Sequence, residues 1–146
     1  MIKKLLFIFM LTIIVVVNIA ALIMPDILTE INTTRAGISI NNVVIDNDLS
    51  CFAYTRAVDI IKNNNTLSHD NWLAHVPKKL RAKYYFGEIL AKGSGQYPAE
   101  AYIEAWMNSC SHKLVIINPR YTDIGIAVVP SDGYYIVVAI FGIRKH

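Results

Sequence analysis

Hydrophobic and polar positions along this chain alternate between helical and strand spacing, and the switches mark its elements. Ala99, Tyr102, Ile103 and Trp106 recur at helical spacing as one apolar stripe, with Glu100 and Glu104 on the wet side. Tyr97 and Pro98 suit the start of that helix, because the first helical position needs no backbone N–H. Side chains over Asn108–Ser111 compete for backbone hydrogen bonds and end it, which predicts His112 in the turn just beyond. Residues 26–37 predict a short helix with Ile27, Leu28 and Ile31 on one side and Gly37 as its stop. Asp48 is a candidate N-cap for a helix running to about Lys62. Leu49, Phe52, Ala53, Val58 and Ile60 give that helix a broad apolar face, Ala57 allows close packing, and Asn63-Asn64-Asn65 ends it.

Strand spacing dominates elsewhere. Tyr84–Ile89 is an aromatic-rich strand candidate, and Gly93, Gly95 and Pro98 punctuate the return to the helix. Ile124–Val129 and Tyr134–Phe141 are β-branched and aromatic runs joined by Pro130-Ser131-Asp132-Gly133, a hairpin in which Gly133 takes the positive φ. Two strands alone are marginal, so Tyr84–Ile89 is expected to join them. The fold class predicted is α+β, with three helices over a three-stranded antiparallel sheet.

The N-terminus is of another kind. Lys3 and Lys4 precede an uncharged run from Leu5 to Met24, closed by Pro25-Asp26. Twenty such residues rise about 30 Å as a helix, enough to cross a bilayer's hydrocarbon core. A signal peptide's apolar region is shorter, about 7–15 residues, and Asn18 and Ile19 are poor residues before a cut near Ala20 or Ala21. An uncleaved anchor is favoured over a removed signal peptide, so residues 1–25 form the membrane or signal segment and 26–146 the domain. Both readings leave the lysines inside and the domain outside the cytoplasm, membrane-anchored or secreted.

Composition changes this picture little. The 146 residues suffice for one domain with a real core, and the N-terminal run inflates the apolar content of 54%. All 11 acidic residues follow Met24, against 12 of the 14 basic ones, so the exported part is near +1. Lys78, Lys79, Arg81 and Lys83 form the one basic cluster, read as a solvated face, with weak attraction to an anionic envelope polymer as the alternative. There is no long basic face with interleaved aromatics, which argues against nucleic acid as a partner.

Several short motifs, in this order and spacing, resemble one family. Gly87-Glu88 is similar to the Gly-Glu-Asn signature of the CAP superfamily (cysteine-rich secretory proteins, antigen 5 and pathogenesis-related proteins). Trp106-x-x-Ser109-x-x-His112, followed by Asn118-Pro119-x-Tyr121-Thr122-x-Ile124-Gly125, resembles its bacterial SCP-like branch. Ile31-Asn32-x-x-Arg35 and Leu49-x-x-x-Ala53-x-x-x-Ala57 match the opening helices, and Ser68-His69 the first histidine, so the likeness covers roughly residues 26–142. It implies an α-β-α sandwich and a cleft of two histidines and two acidic residues. His69, Glu88 and His112 match three of these four. Ser109 stands where the second glutamate would fall, and Ile89 replaces the asparagine after Gly-Glu. His69 by itself would read as a hydrogen-bonded structural histidine, and His75 and His146 have no motif around them.

Two chemistries could use this set. Two imidazoles and a carboxylate are the ligands of a hydrolytic zinc site with water in the open position, though no His-Glu-x-x-His helix fixes the geometry. His69, Glu88 and His112 are therefore expected to bind a divalent metal such as zinc only weakly. Ser109 and His112, three residues apart, could be nucleophile and base, with Glu88 or Asp70 as orienter, yet no Gly-x-Ser-x-Gly elbow accompanies them. A buried polar network that braces the cleft is the favoured reading. The sequence thus points to a non-enzymatic binding module for a small ligand, a lipid or a peptide. A metal-dependent or serine-type hydrolase acting on an envelope or host polymer is the alternative.

Cys51 and Cys110 are the only cysteines, and export to an oxidising space would allow a disulfide between them. Closing roughly 60 residues would contribute about 4 kcal/mol, but Cys51 begins its helix while His69 follows its end, so the bridge is left open.

The run from Leu5 to Met24 is expected to hold the protein in the membrane. Cell fractionation with an intact-mass measurement checks this, and a soluble product beginning near Ala21 or Met24 would make it a secreted protein instead.

Overall fold

The last strand dictates the layering. In β4 (Tyr134–Arg144), Ile136, Val138 and Ile140 face one side and Val137, Ala139 and Phe141 the other, all six fully buried. A strand apolar on both faces has to be covered on both. The computed structural model describes residues 24–94 and 97–146. In it β4 is flanked by β3 (Asp123–Ser131) and β2 (Tyr84–Ser94), both antiparallel to it, and β1 (Val44–Ile45) pairs parallel with β3. The order β1-β3-β4-β2 leaves β2 at an edge.

Helices cover each face. Helix α2 (Asn47–Lys62), a 3-10 turn (Trp72–His75) and α3 (Lys78–Lys83) lie on the Ile136 side, where Leu49, Phe52, Ala53, Trp72 and Leu80 join the core. Helix α1 (residues 24–37), α4 (Ala99–Met107) and α5 (Cys110–Ile116) lie on the Val137 side, with Ile27, Ile31, Tyr102, Trp106 and Ile116. The α+β class and the sandwich expected from the family likeness are therefore present. The apolar run expected to anchor the chain falls outside the described residues except for Met24. Among the described residues, no helix is long and apolar enough to cross a membrane.

The details depart from the sequence reading in four places. The sheet has four strands rather than three, because β1 is only two residues, both exposed, and shows no alternation to read. It is held by Asn32, whose side chain donates to Val43 O (3.0 Å) and accepts from Val43 N (2.9 Å), imitating a neighbouring strand. Strand β2 runs to Ser94, through Gly93, because the Tyr102 ring lies where a side chain at Gly93 would be. The hairpin loop is only Asp132-Gly133, with φ of 45° and 79°, and Pro130 and Ser131 belong to β3. Asp46, not Asp48, caps α2: it accepts from Leu49 N (2.9 Å), Lys83 Nζ (2.8 Å) and Tyr84 Oη (2.9 Å). Burial alone would raise the Asp46 carboxyl, but those three donors bring it down to about 2.

Two changes test this scaffold. A Cβ at Gly125 would sit well inside van der Waals contact with the backbone of Leu49 and Ser50, where α2 crosses β3. Backbone cannot swing aside, so Gly125→Ala is expected to lower stability by about 3 kcal/mol, read as a lower urea midpoint at unchanged slope. Asp46 has a folded pKa below its unfolded value, so its contribution is present above about pH 4 and lost as pH falls through about 2. Asp46→Ala should cost about 2 kcal/mol at neutral pH, and urea melts of both proteins should draw together as pH approaches 2.

Candidate functional site

The edge strand carries a buried acid, and its neighbours are arranged around that acid. Glu88 lies on β2 facing α2, its side chain only 1% exposed. A carboxylate taken out of water has to be paired and hydrogen-bonded. Arg56 of α2 donates Nε to Glu88 Oε2 at 2.8 Å and Nη2 to the Ser68 carbonyl. That second bond fixes the chain just after α2, so His69 reaches Glu88 Oε1 with Nδ1 at 2.8 Å. The His69 ring is half exposed.

His112 arrives from the opposite layer. Trp106 donates its indole N–H to Leu90 O at 2.9 Å, which pins the end of α4 to β2. Asn108 ends α4 and Ser109 starts α5, so His112 lies in the first turn of a second helix rather than in a terminal turn. The sequence reading missed α5, whose seven residues are too few to display a period. The rings of His69 and His112 are 5.8 Å apart between centroids and tilted by 57°. Burial lowers the His112 pKa from its usual value, and His69 beside it acts in the same direction.

The remaining candidates lie differently. Ser109 Oγ is 3.3 Å from Ser111 Oγ, and that is its recorded partner. Asp70 accepts from Ser68 Oγ at 2.7 Å and so braces the loop before His69, with no bond to either ring. Among the described residues, no group of three or more His, Cys, Asp or Glu side chains is placed to hold a metal ion. In the set of His69, Glu88 and His112 expected to hold a metal weakly, Glu88 is the member with both oxygens hydrogen-bonded, one by Arg56 and one by His69. Cys51 and Cys110 are free and exposed. The bridge left open in the sequence does not form, because α2 and α5 cover opposite faces of the sheet.

Arg56 is the site residue that sequence reasoning passed over. The signal was there: an arginine between Phe52, Ala53 and Ala57, on the face that should have been apolar. Its side chain is 10% exposed. His75 and His146 are exposed and line other surface hollows, without His69, Glu88 or His112.

With this geometry in hand, comparisons with known proteins agree with one another. The family model described as "CAP: Cysteine-rich secretory protein family" matches residues 28–141. The uncharacterized protein YkwD of Bacillus subtilis is 31% identical over 109 residues, 71% of this chain but 41% of YkwD, so the chain spans about two fifths of that relative. An uncharacterized protein of Borreliella burgdorferi is 30% identical over 129 residues, covering 84% of this chain and 80% of its own length. The solved structure of an outer surface protein from Borrelia burgdorferi superposes with a TM-score of 0.68 at 27% identity, over 81% of this chain and 90% of that one. Motif order, sandwich and matched length all lead to one assignment: the chain belongs to the cysteine-rich secretory protein (CAP) family, in its bacterial SCP-like branch.

Proposed function

We propose that the chain is an exported, membrane-anchored binding module, non-enzymatic, whose ligand sits in the cleft between His69 and His112. One observation carries this reading: Glu88 has both oxygens engaged, by Arg56 and by His69. A carboxylate so paired, with a side chain only 1% exposed, faces its two donors inside the fold rather than standing open to the cleft as a general base or a metal ligand. Ser109 lacks the partner that would activate it, since its hydroxyl lies against Ser111. What the cleft offers is a pair of imidazoles, one rigidly oriented by a buried carboxylate and one held neutral by burial. Such a pair can donate to and accept from a small ligand, a lipid headgroup or a peptide end. Export is supported by the apolar N-terminal run and by the likeness to a protein described as an outer surface protein.

A zinc ion, if bound, would be held by His69 and His112 with Glu88 behind His69, and would supply positive charge for an anionic ligand group. The second reading, a hydrolase acting on an envelope or host polymer, draws support from the depressed pKa of His112, which keeps a base available at neutral pH.

Calorimetric titration with zinc tests the cleft. The parent is expected to bind weakly, with binding fading as pH falls below about 6.5, because coordination needs neutral imidazole and burial holds the His112 pKa below that value. His112→Ala should abolish binding, and Glu88→Gln should weaken it by about tenfold by releasing His69. Equal binding by the parent and His112→Ala sinks the shared cleft, whereas tight stoichiometric zinc favours the hydrolase.

Stability should separate the residues as well. Glu88→Ala leaves Arg56 buried without its partner and should cost about 3–5 kcal/mol. His112→Ala should cost about 1 kcal/mol, since Glu88 and His69 keep each other. The folded pKa of His112 lies below its unfolded value, so stability should fall as pH drops below about 6.5. Urea melts of His112→Gln should lack that component.

A further inference from the structure

The basic cluster of the sequence is dispersed by folding, and a different one forms. Lys79 pairs with Asp48 and Lys83 with Asp46, each at 2.8 Å. Arg81 is exposed instead beside the far end of the chain, because β2 and β4 pair Tyr84 with Arg144 at the same end of the sheet. Two concavities meet there, sharing Tyr85 and Lys145. One, of about 690 Å³, is lined by Arg120, Arg144 and Lys145. The other, of about 600 Å³, is lined by Arg81, Leu73 and Phe86. Among the described residues, no acidic side chain lines either. The carboxylate nearest in the hydrogen-bond network is Asp123, which is 1% exposed and paired with Arg144. Among the described residues, Arg81 and Arg120 make no ion pair.

We infer that this double groove is a binding site for a linear anionic glycan, distinct from the His69–His112 cleft. Cations in both concavities, on either side of the shared Tyr85 and Lys145, suit a chain that bears charge at intervals. Tyr85, 59% exposed at the junction of the two halves, offers the exposed part of an amphipathic ring to a sugar, one face being taken by Lys145 Nζ, which lies 4.5 Å from the centroid and donates to the Arg81 carbonyl at 2.6 Å. A bilayer surface fits less well, because these cations line a concavity that a flat array of headgroups does not enter. The inference does not depend on the cleft: it concerns other residues and needs no histidine.

The test uses the full-length chain in phosphatidylcholine nanodiscs and fluorescein-labelled polygalacturonate, followed by anisotropy. Polygalacturonate should bind, neutral dextran should not, and the affinity should fall as salt rises from about 50 to about 300 mM. Arg81→Ala combined with Arg120→Ala, one exposed cation from each half, should weaken binding about tenfold. Tyr85→Ala should weaken it about threefold, and that loss should persist at the higher salt. Lys78→Ala combined with Lys79→Ala removes as much charge outside the groove and should change binding less than about twofold. The proposal is overturned if dextran binds as well, or if the Lys78/Lys79 pair loses as much as the Arg81/Arg120 pair. Flotation with phosphatidylglycerol vesicles supplies a further arm: capture by vesicles without polygalacturonate binding makes the groove a lipid contact and overturns it too.

Discussion

A carboxylate buried on an edge strand constrains this molecule more than any other group. Glu88 is withdrawn from water on β2 and needs donors from outside the sheet. Arg56 supplies one and His69 the other. Those bonds tie α2, the segment after it and the edge strand into a single unit. Loss of Arg56 would leave the Glu88 carboxylate buried without a counter-charge, whereas loss of His69 would leave one of its oxygens without a donor. The half-exposed face of His69 is what remains open to solvent. The same geometry that stabilises the fold therefore sets which nitrogen of His69 points outward.

A second buried charge holds the opposite layer. Arg35 of α1 is fully buried and donates to the carbonyls of Asn41 (2.8 Å), Ile116 (2.7 Å), Asn118 (3.0 Å) and Tyr121 (3.0 Å). Two of these acceptors lie at and just beyond the C-terminal end of α5, where the helix dipole is negative, so a guanidinium without a carboxylate partner can be accommodated. Arg35 thereby fixes the far end of the helix that carries His112, while Trp106 fixes the approach to its start. The two histidines meet because each layer is anchored by its own arginine, and because β2 is the edge at which the layers come together.

Close approach completes the frame. Gly125 lets the first turn of α2 rest directly on β3, and Gly87 leaves room for the Tyr121 ring, which packs on Phe141 at 5.4 Å. Neither glycine takes a positive φ, so their role is space rather than conformation.

Local pattern in the sequence determined much of this. The stripe from Ala99 to Trp106, the faces of α2 and the two strands of the hairpin are set by spacing, and burial simply followed. The motif order around Gly87-Glu88 and His112 was enough to identify the family. Tertiary structure decided the rest, for reasons of range. Strand β1 depends on Asn32 and on β3, not on its own two residues. Helix α5 depends on Arg35 reaching 81 residues along the chain to Ile116. Arg56, passed over in the sequence, has its partner Glu88 32 residues away on another element. Cys51 and Cys110 were equally compatible with a bridge until the sheet stood between their helices. Charge behaved likewise: of four basic residues close in sequence, Lys83 went to Asp46, Lys79 to Asp48 and Arg81 to a groove, since ion pairing follows distance in space and hydropathy patterns do not encode it.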